Sequence, residues 1–236
     1  SLSSMQQALK QSEKLAHMGQ LSAGIAHELN NPLGIVIMYS NILLDESKPD
    51  DPVKEDLKLI VEQAGRCKKI VAGLLNFARK SQVNHQLVSI KELVTHSIES
   101  VIIPDNVSVK IEDQAANPDG WLDSEQMTQV LSNLIKNAID AMPEGGEINI
   151  LIEDTLSDVS ITIGDTGTGI KEEDRVKIFE PFFTTKGLGH GTGLGLATTY
   201  GIVKMHKGQI TVESNNDPAK GPTGTRFKIV LPRRKE

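Results

Sequence analysis

The sequence predicts an all-α helical hairpin that forms a dimeric four-helix bundle, followed by an α+β sandwich. Three observations carry this expectation. Apolar residues in the first eighty positions keep a three-four spacing, first as Leu15, Met18, Ile25, Leu29, Val36, Tyr39 and Leu43, then as Leu57, Ile60, Ala64, Cys67, Val71, Leu74 and Ala78. Beyond residue 86 the period falls to two in several short segments, each reading as a strand with one buried face. Helical patterns lie between some of these segments, while others are joined directly, which suggests helices on one face of a mixed sheet.

Taken in order, residues 4–46 read as one helix about 60 Å long at 1.5 Å per residue. Lys48-Pro49-Asp50-Asp51-Pro52 stops it, and the second stripe supplies an antiparallel partner. With the first stripe at heptad positions a and d, Leu21, Ile35 and Ile42 fall at g and widen the apolar surface beyond one seam, so a second copy is expected to close the bundle. The same register puts His27 at f, facing out. It also puts Ile37 and Met38 on the outer face, where an apolar run would mark a docking surface. Cys67 lies on the stripe and reads as an inert buried thiol. Periodicity lapses over residues 81–85, dividing the chain into a hairpin domain of residues 1–82 and a second domain of residues 86–236. In the second domain, strands are expected at 107–111, 147–152, 158–163, 209–213 and 226–231, and helices at 90–101, 123–142, 171–179 and 193–206.

Composition bounds the function. Only 3% of the 236 residues are aromatic, so the core is mainly aliphatic. A net charge of −6 argues against nucleic acid as a partner. One cysteine cannot form an internal disulfide and makes a zinc cluster implausible. No apolar run reaches the roughly 18 residues of a membrane span, and the N-terminus lacks a signal-peptide pattern. The chain opens at Ser1 inside a helical pattern without an initiator Met, which reads as the C-terminal part of something longer.

The chemistry-bearing segments begin with Ala26-His27-Glu28-Leu29-Asn30-Asn31-Pro32-Leu33. Neutral imidazole is a good nucleophile near its ordinary pKa of roughly 6.5, and the adjacent carboxylate of Glu28 can take the proton lost on attack. Alone, a His-Glu pair would be read as a solvated helix face. On 123–142, Asn133, Asn137 and Asp140 fall at i, i+4 and i+7 and make a polar line; the amide oxygen of asparagine is a hard, neutral ligand suited to Mg²⁺ that already carries phosphate oxygens. Asp165-Thr166-Gly167-Thr168-Gly169 follows a strand; its carboxylate could accept from the exocyclic amine of adenine, and its glycines would let a flat ring approach the backbone. Phe179, Phe182 and Phe183 precede a glycine-rich stretch through Gly191-Thr192-Gly193-Leu194-Gly195, which reads as a lid ending at a helix start able to hold phosphates. The dinucleotide fingerprint fails because Leu196 stands where its third glycine belongs, and no GxxxxGK[ST] is present.

In this order and at this separation, residues 26–33, 132–141, 165–169, 179–183 and 191–195 resemble the H, N, G1, F and G2 boxes of bacterial two-component sensor histidine kinases, most like the nitrogen-regulation type. The resemblance implies a Bergerat-type ATP-binding fold and makes the chain an expected transferase of signal transduction. ATP and Mg²⁺ would be its cofactors, with Asn137 as metal ligand and Asn133 near the phosphates. Asp165, with Gly167 and Gly169, would read adenine, sharing a water with Thr225. Gly191, Thr192, Gly193, Leu194 and Gly195 would wrap the phosphates, with Lys186 as lid cation. His27 would become a phosphohistidine with Glu28 as base and pass its phosphoryl group to an aspartate of a response regulator receiver domain. Asn31, one turn after His27, is expected to orient water for dephosphorylation of that partner. The resemblance further implies a homodimer, a preceding N-terminal sensor domain, and a cytoplasmic location, with membrane tethering of the full-length protein left open. Chaperone- and topoisomerase-type ATPases share such a pocket without a phosphohistidine, and a non-catalytic scaffold would show a damaged box; none is found.

Overall fold

A computed structural model of the chain describes residues 28–48, 51–79, 83–117, 119–186 and 191–233. It divides into two compact units, one of Ser1–Ser81 with Thr185–Leu194 and one of Gln82–Thr184 with Gly195–Glu236.

In the first unit, residues 28–46 form a helix, α1, and Val53–Arg79 form α2. Asp51 accepts the Val53 N–H at 3.0 Å, Pro52 sits just ahead of the helix where its missing N–H costs nothing, and Glu55 and Asp56 face the positive end of the dipole. The covered line on α1 is Asn30, Leu33, Ile37, Ser40, Leu44 and Ser47, whereas Leu29, Val36, Tyr39 and Leu43 are exposed, Tyr39 by 58%. This corrects the expected register by one position and moves Ile37 from the outer face to the covered line; Met38 remains exposed. The helix carries two apolar lines, and periodicity alone does not tell which one a neighbour covers. On α2, Leu57, Ala64 and Val71 are covered while Ile60 and Cys67 are exposed in the single chain, so the expectation of a buried thiol does not hold there.

The second unit is an α+β sandwich. A two-stranded antiparallel ribbon pairs β1 (Gln86–Ser89) with β3 (Asp119–Leu122). The main sheet, in order β2-β4-β5-β7-β6, consists of β2 (Val107–Asp113), β4 (Gly146–Asp154), β5 (Asp158–Asp165), β7 (Gly224–Pro232) and β6 (Gln209–Asn215). It is mixed, as expected: β2 runs parallel to β4 and the other pairings are antiparallel. Helices α3 (Ile90–Glu99), α4 (Ser124–Asp140) and α5 (Gly195–Met205) complete the unit. Ser89 caps α3 by accepting the Glu92 N–H, and Asp123 caps α4 by accepting the Gln126 N–H at 3.0 Å. Leu93 and Val94 of α3 and Leu131, Leu134 and Ile135 of α4 join Ile148, Ile150, Ile152, Ile161, Ile163 and Ile229 in one core that is almost wholly aliphatic.

Residues 171–179 are not the expected helix. Asp174, Arg175 and Lys177 make overlapping three-residue turns back to Lys171, Glu172 and Asp174, an acid-rich stretch whose inward apolar residues are Ile178 and Phe179 at its end, while Val176 is exposed. The strands β1 and β3 escaped sequence reading because four-residue segments give too few alternations to count.

Candidate functional site

The candidate site of the second unit is built where β5 runs out beside the end of α4 and the start of β7. Asp165 closes β5, and its Oδ1 accepts the N–H groups of Gly167 at 2.9 Å and Thr225 at 3.1 Å. Burial pushes its carboxyl pKa up, and these two hydrogen bonds pull the other way. Both bonds fall on one oxygen, which leaves Oδ2 without a hydrogen bond among the described residues. A half-buried acceptor so held favours a ligand group that brings a hydrogen.

The loop after Asp165 is seated by close contacts. Thr168 N–H donates to the Ala141 carbonyl at the end of α4, at 3.1 Å. A Cβ on Gly167 would come within 2.5 Å of that same carbonyl oxygen, and one on Gly169, at φ +72°, would overlap the Asn215 carbonyl. The sequence assigned these glycines to the approach of a flat ring; in the structure their bare faces meet the protein's own backbone. Gly224 (φ +148°) is needed likewise, since a Cβ there would overlap the Asp165 carbonyl oxygen.

Helix α4 buries Met127, Val130, Leu131, Leu134 and Ala138, which leaves Asn133 and Asn137 half-buried and Asp140 exposed along another side. The Asn133 amide donates to the carbonyl of Gly195, the first residue of α5, at 3.3 Å. That amide therefore links two motif elements. Among the described residues no group of three or more His, Cys, Asp or Glu side chains could hold a metal ion. A divalent cation would need few protein oxygens and several from ligand phosphates, and the neutral amide of Asn137 suits that donor set.

The three clustered phenylalanines differ in role. Phe179 packs on Tyr200 and Phe227 at ring separations of 5.4 and 6.4 Å, and Phe183 leans on the core. Phe182 is half exposed with φ +66°, an unusual backbone for a bulky residue.

The second unit holds Asn133, Asn137, Asp165, Gly167, Gly169, Gly195 and Thr225, with hydrogen bonds joining Asn133 to Gly195 and Asp165 to Gly167 and Thr225. Lys186, Gly191, Thr192, Gly193 and Leu194 belong to the first unit. Residues 187–190 and His27 lie outside the described residues, while Glu28 and Asn31 are exposed on α1.

Two contributors escaped sequence reading. Ser214 of β6 stands opposite Thr225 on β7, with the two hydroxyl oxygens 2.9 Å apart. His206, buried just after α5, accepts the Asp123 N–H on Nε2 at 3.0 Å and donates from Nδ1 to the Ile202 carbonyl at 2.8 Å. It ties the capped end of α4 to the end of α5. Asp123 also accepts the Asn84 N–H at 3.1 Å, and the His85 ring meets His206 edge-on. An isolated histidine after an apolar helix carries no spacing signal. Burial lowers the His206 pKa; the Ile202 carbonyl opposes this, His85 adds to it and Asp123 opposes it. Around and below the ordinary histidine pKa of roughly 6.5 the folded state therefore holds fewer protons than the unfolded one, so the contribution of neutral His206 to stability is full above that pH and is lost as pH falls from it through the lower folded-state pKa. Thermal melts of the chain should show a midpoint that drops on acidification from neutrality, with a smaller drop in His206→Gln. Equal slopes would remove His206 as the titrating group. His206→Ala, which leaves the half-buried Asp123 N–H without its acceptor, should cost on the order of 1 kcal/mol.

The family model described as "Histidine kinase-, DNA gyrase B-, and HSP90-like ATPase" matches residues 122–235, and the "His Kinase A (phospho-acceptor) domain" matches residues 17–82. The chain is 37% identical to Sensor kinase CckA of Brucella abortus over 249 residues, covering 97% of this chain and 26% of that relative. The solved catalytic domain of histidine kinase ThkA is 33% identical, with a TM-score of 0.55, covering 64% of this chain and 96% of that one. A ThkA structure in complex with response regulator protein TrrA aligns over 98% of this chain and 66% of that one, at 26% identity and a TM-score of 0.65.

Proposed function

Because this chain belongs to the sensor histidine kinases, we propose that it uses ATP to phosphorylate His27 and passes the phosphoryl group to an aspartate of a response regulator. One observation carries the reading above the others: a unit in which Asp165 keeps an acceptor oxygen without a hydrogen bond among the described residues, and in which the loop after it is tied to the end of the helix carrying Asn133 and Asn137, sits in the same chain as a phospho-acceptor match spanning His27. Asp165 accepts from the exocyclic amine of adenine, and Thr225 shares that end of the base. Asn137 would hold Mg²⁺, which neutralises phosphate charge when bound. Asn133 and Gly195 fix where the phosphates meet α5. The imidazole of His27 forms the new N–P bond as the bond from phosphorus to the ADP oxygen breaks, and Glu28 takes the imidazole proton. The lid residues Lys186, Gly191, Thr192, Gly193 and Leu194 close over the phosphates. The likeness to a kinase solved with its response regulator supports a receiver domain as acceptor.

The working unit is a homodimer. Counting about 100° per residue, the exposed line through Ile35, Val36, Tyr39, Ile42 and Leu43 lies roughly 120° around α1 from the covered line. A helix in a four-helix bundle has two neighbours, and a second copy is the natural cover for this second stripe. Asn31 shares the remaining face with Met38. Asn31→Ala should lower dephosphorylation of the regulator by about tenfold while leaving His27 phosphorylation within about twofold. Equal loss of both activities would instead give Asn31 a role in helix geometry beside Pro32.

Incubation with γ-labelled ATP and Mg²⁺ tests the reaction class. The proposal predicts protein-bound label that is lost in acid and kept in base. ATP hydrolysis without such label would favour the gyrase- and HSP90-like ATPase reading.

A further inference from the structure

Three contacts meet on the Ser214 hydroxyl. The Ile170 N–H donates to it at 2.8 Å, it lies 2.8 Å from the Gly224 carbonyl, and it lies 2.9 Å from the Thr225 hydroxyl. A hydroxyl has one hydrogen and two lone pairs. The amide can only donate and the carbonyl can only accept, so the hydrogen of Ser214 goes to Gly224 and one lone pair receives Ile170. For the third contact to be a hydrogen bond, Thr225 must donate its own hydrogen to the remaining lone pair of Ser214. Thr225 is itself buried, and its N–H is already spent on Asp165.

We infer that Ser214 is a positioning residue for base selection: by taking the hydrogen of Thr225, it makes the Thr225 hydroxyl an acceptor only. Beside the Asp165 carboxylate, also an acceptor, these two side chains then offer a base no hydrogen. A base edge with a 6-amino group is satisfied there. A 6-oxo purine sets an acceptor against acceptors and leaves its oxygen unpaired. The inference rests on the proposal that Asp165 and Thr225 face the base. Ser214 reaches this role by strand register, since it stands opposite Thr225 on the β6–β7 pair.

Dissociation constants of ADP and IDP for the full chain test it, because neither is consumed. Wild type should prefer ADP. Ser214→Ala frees the Thr225 hydrogen to turn to the 6-oxo group, so the ADP-over-IDP ratio should fall by about tenfold, whereas a loosened fold would weaken both nucleotides alike. Thr225→Val added to Ser214→Ala removes the freed hydrogen and should restore much of the ratio. A ratio unchanged by Ser214→Ala, or one that the added Thr225→Val fails to recover, overturns the inference. Asp165→Asn separates this from the underlying reading: if it leaves both constants as in wild type, the base does not meet Asp165 and both fall together.

Discussion

His27→Gln should abolish autophosphorylation, a loss of at least about a thousandfold, because it removes the group that forms the N–P bond. The effect should be confined to chemistry. Nucleotide affinity should stay within about twofold, since every contact assigned to the base and phosphates lies elsewhere in the chain. The dimer should persist, because the apolar stripe through Val36, Tyr39 and Leu43 is untouched. Labelling with γ-labelled ATP, paired with nucleotide titration and sedimentation of the same preparation, checks all three. Stable label at the wild-type rate on another residue would refute the assignment.

Asn137→Asp should lower autophosphorylation by on the order of a hundredfold. The change replaces a neutral amide by a carboxylate at nearly constant shape, so α4 should keep its buried face of Leu131, Leu134 and Ala138. It adds a negative charge where phosphate oxygens would crowd and removes the amide's donor. Asn133 is a useful contrast, because its amide donates to Gly195. Asn133→Ala should act by loosening the start of α5, and its loss should appear mainly as a raised KM. Undiminished kinase activity in Asn137→Asp would sink the metal-ligand proposal.

The sequence was legible where a physical period repeats often enough to count. Five strands of the main sheet and helices α3, α4 and α5 stand where alternation and three-four spacing placed them, because each buries one face on a common aliphatic core. Legibility failed where a choice depended on a neighbour. Leu29 and Leu33 are equally apolar, and only packing reveals that Leu33 is covered and Leu29 is not. The glycines of the loop after Asp165 read in sequence as making room for a flat ring, whereas the surfaces they meet, Ala141 and Asn215, are backbone distant in sequence. Ser214 and His206 act through single hydrogen bonds across elements, and no local pattern announces such partners.

The central claim is that this chain makes a phosphohistidine on α1's N-terminal side, and it can be tested directly. The protein is incubated with ATP and Mg²⁺, digested under alkaline conditions that preserve phosphoramidates, and its peptides are sequenced by mass spectrometry. The account predicts the added phosphoryl group on His27, in the peptide containing Ala26-His27-Glu28. Phosphate mapped to a serine, threonine or another histidine, or ATP consumed with no phosphopeptide at all, would contradict it.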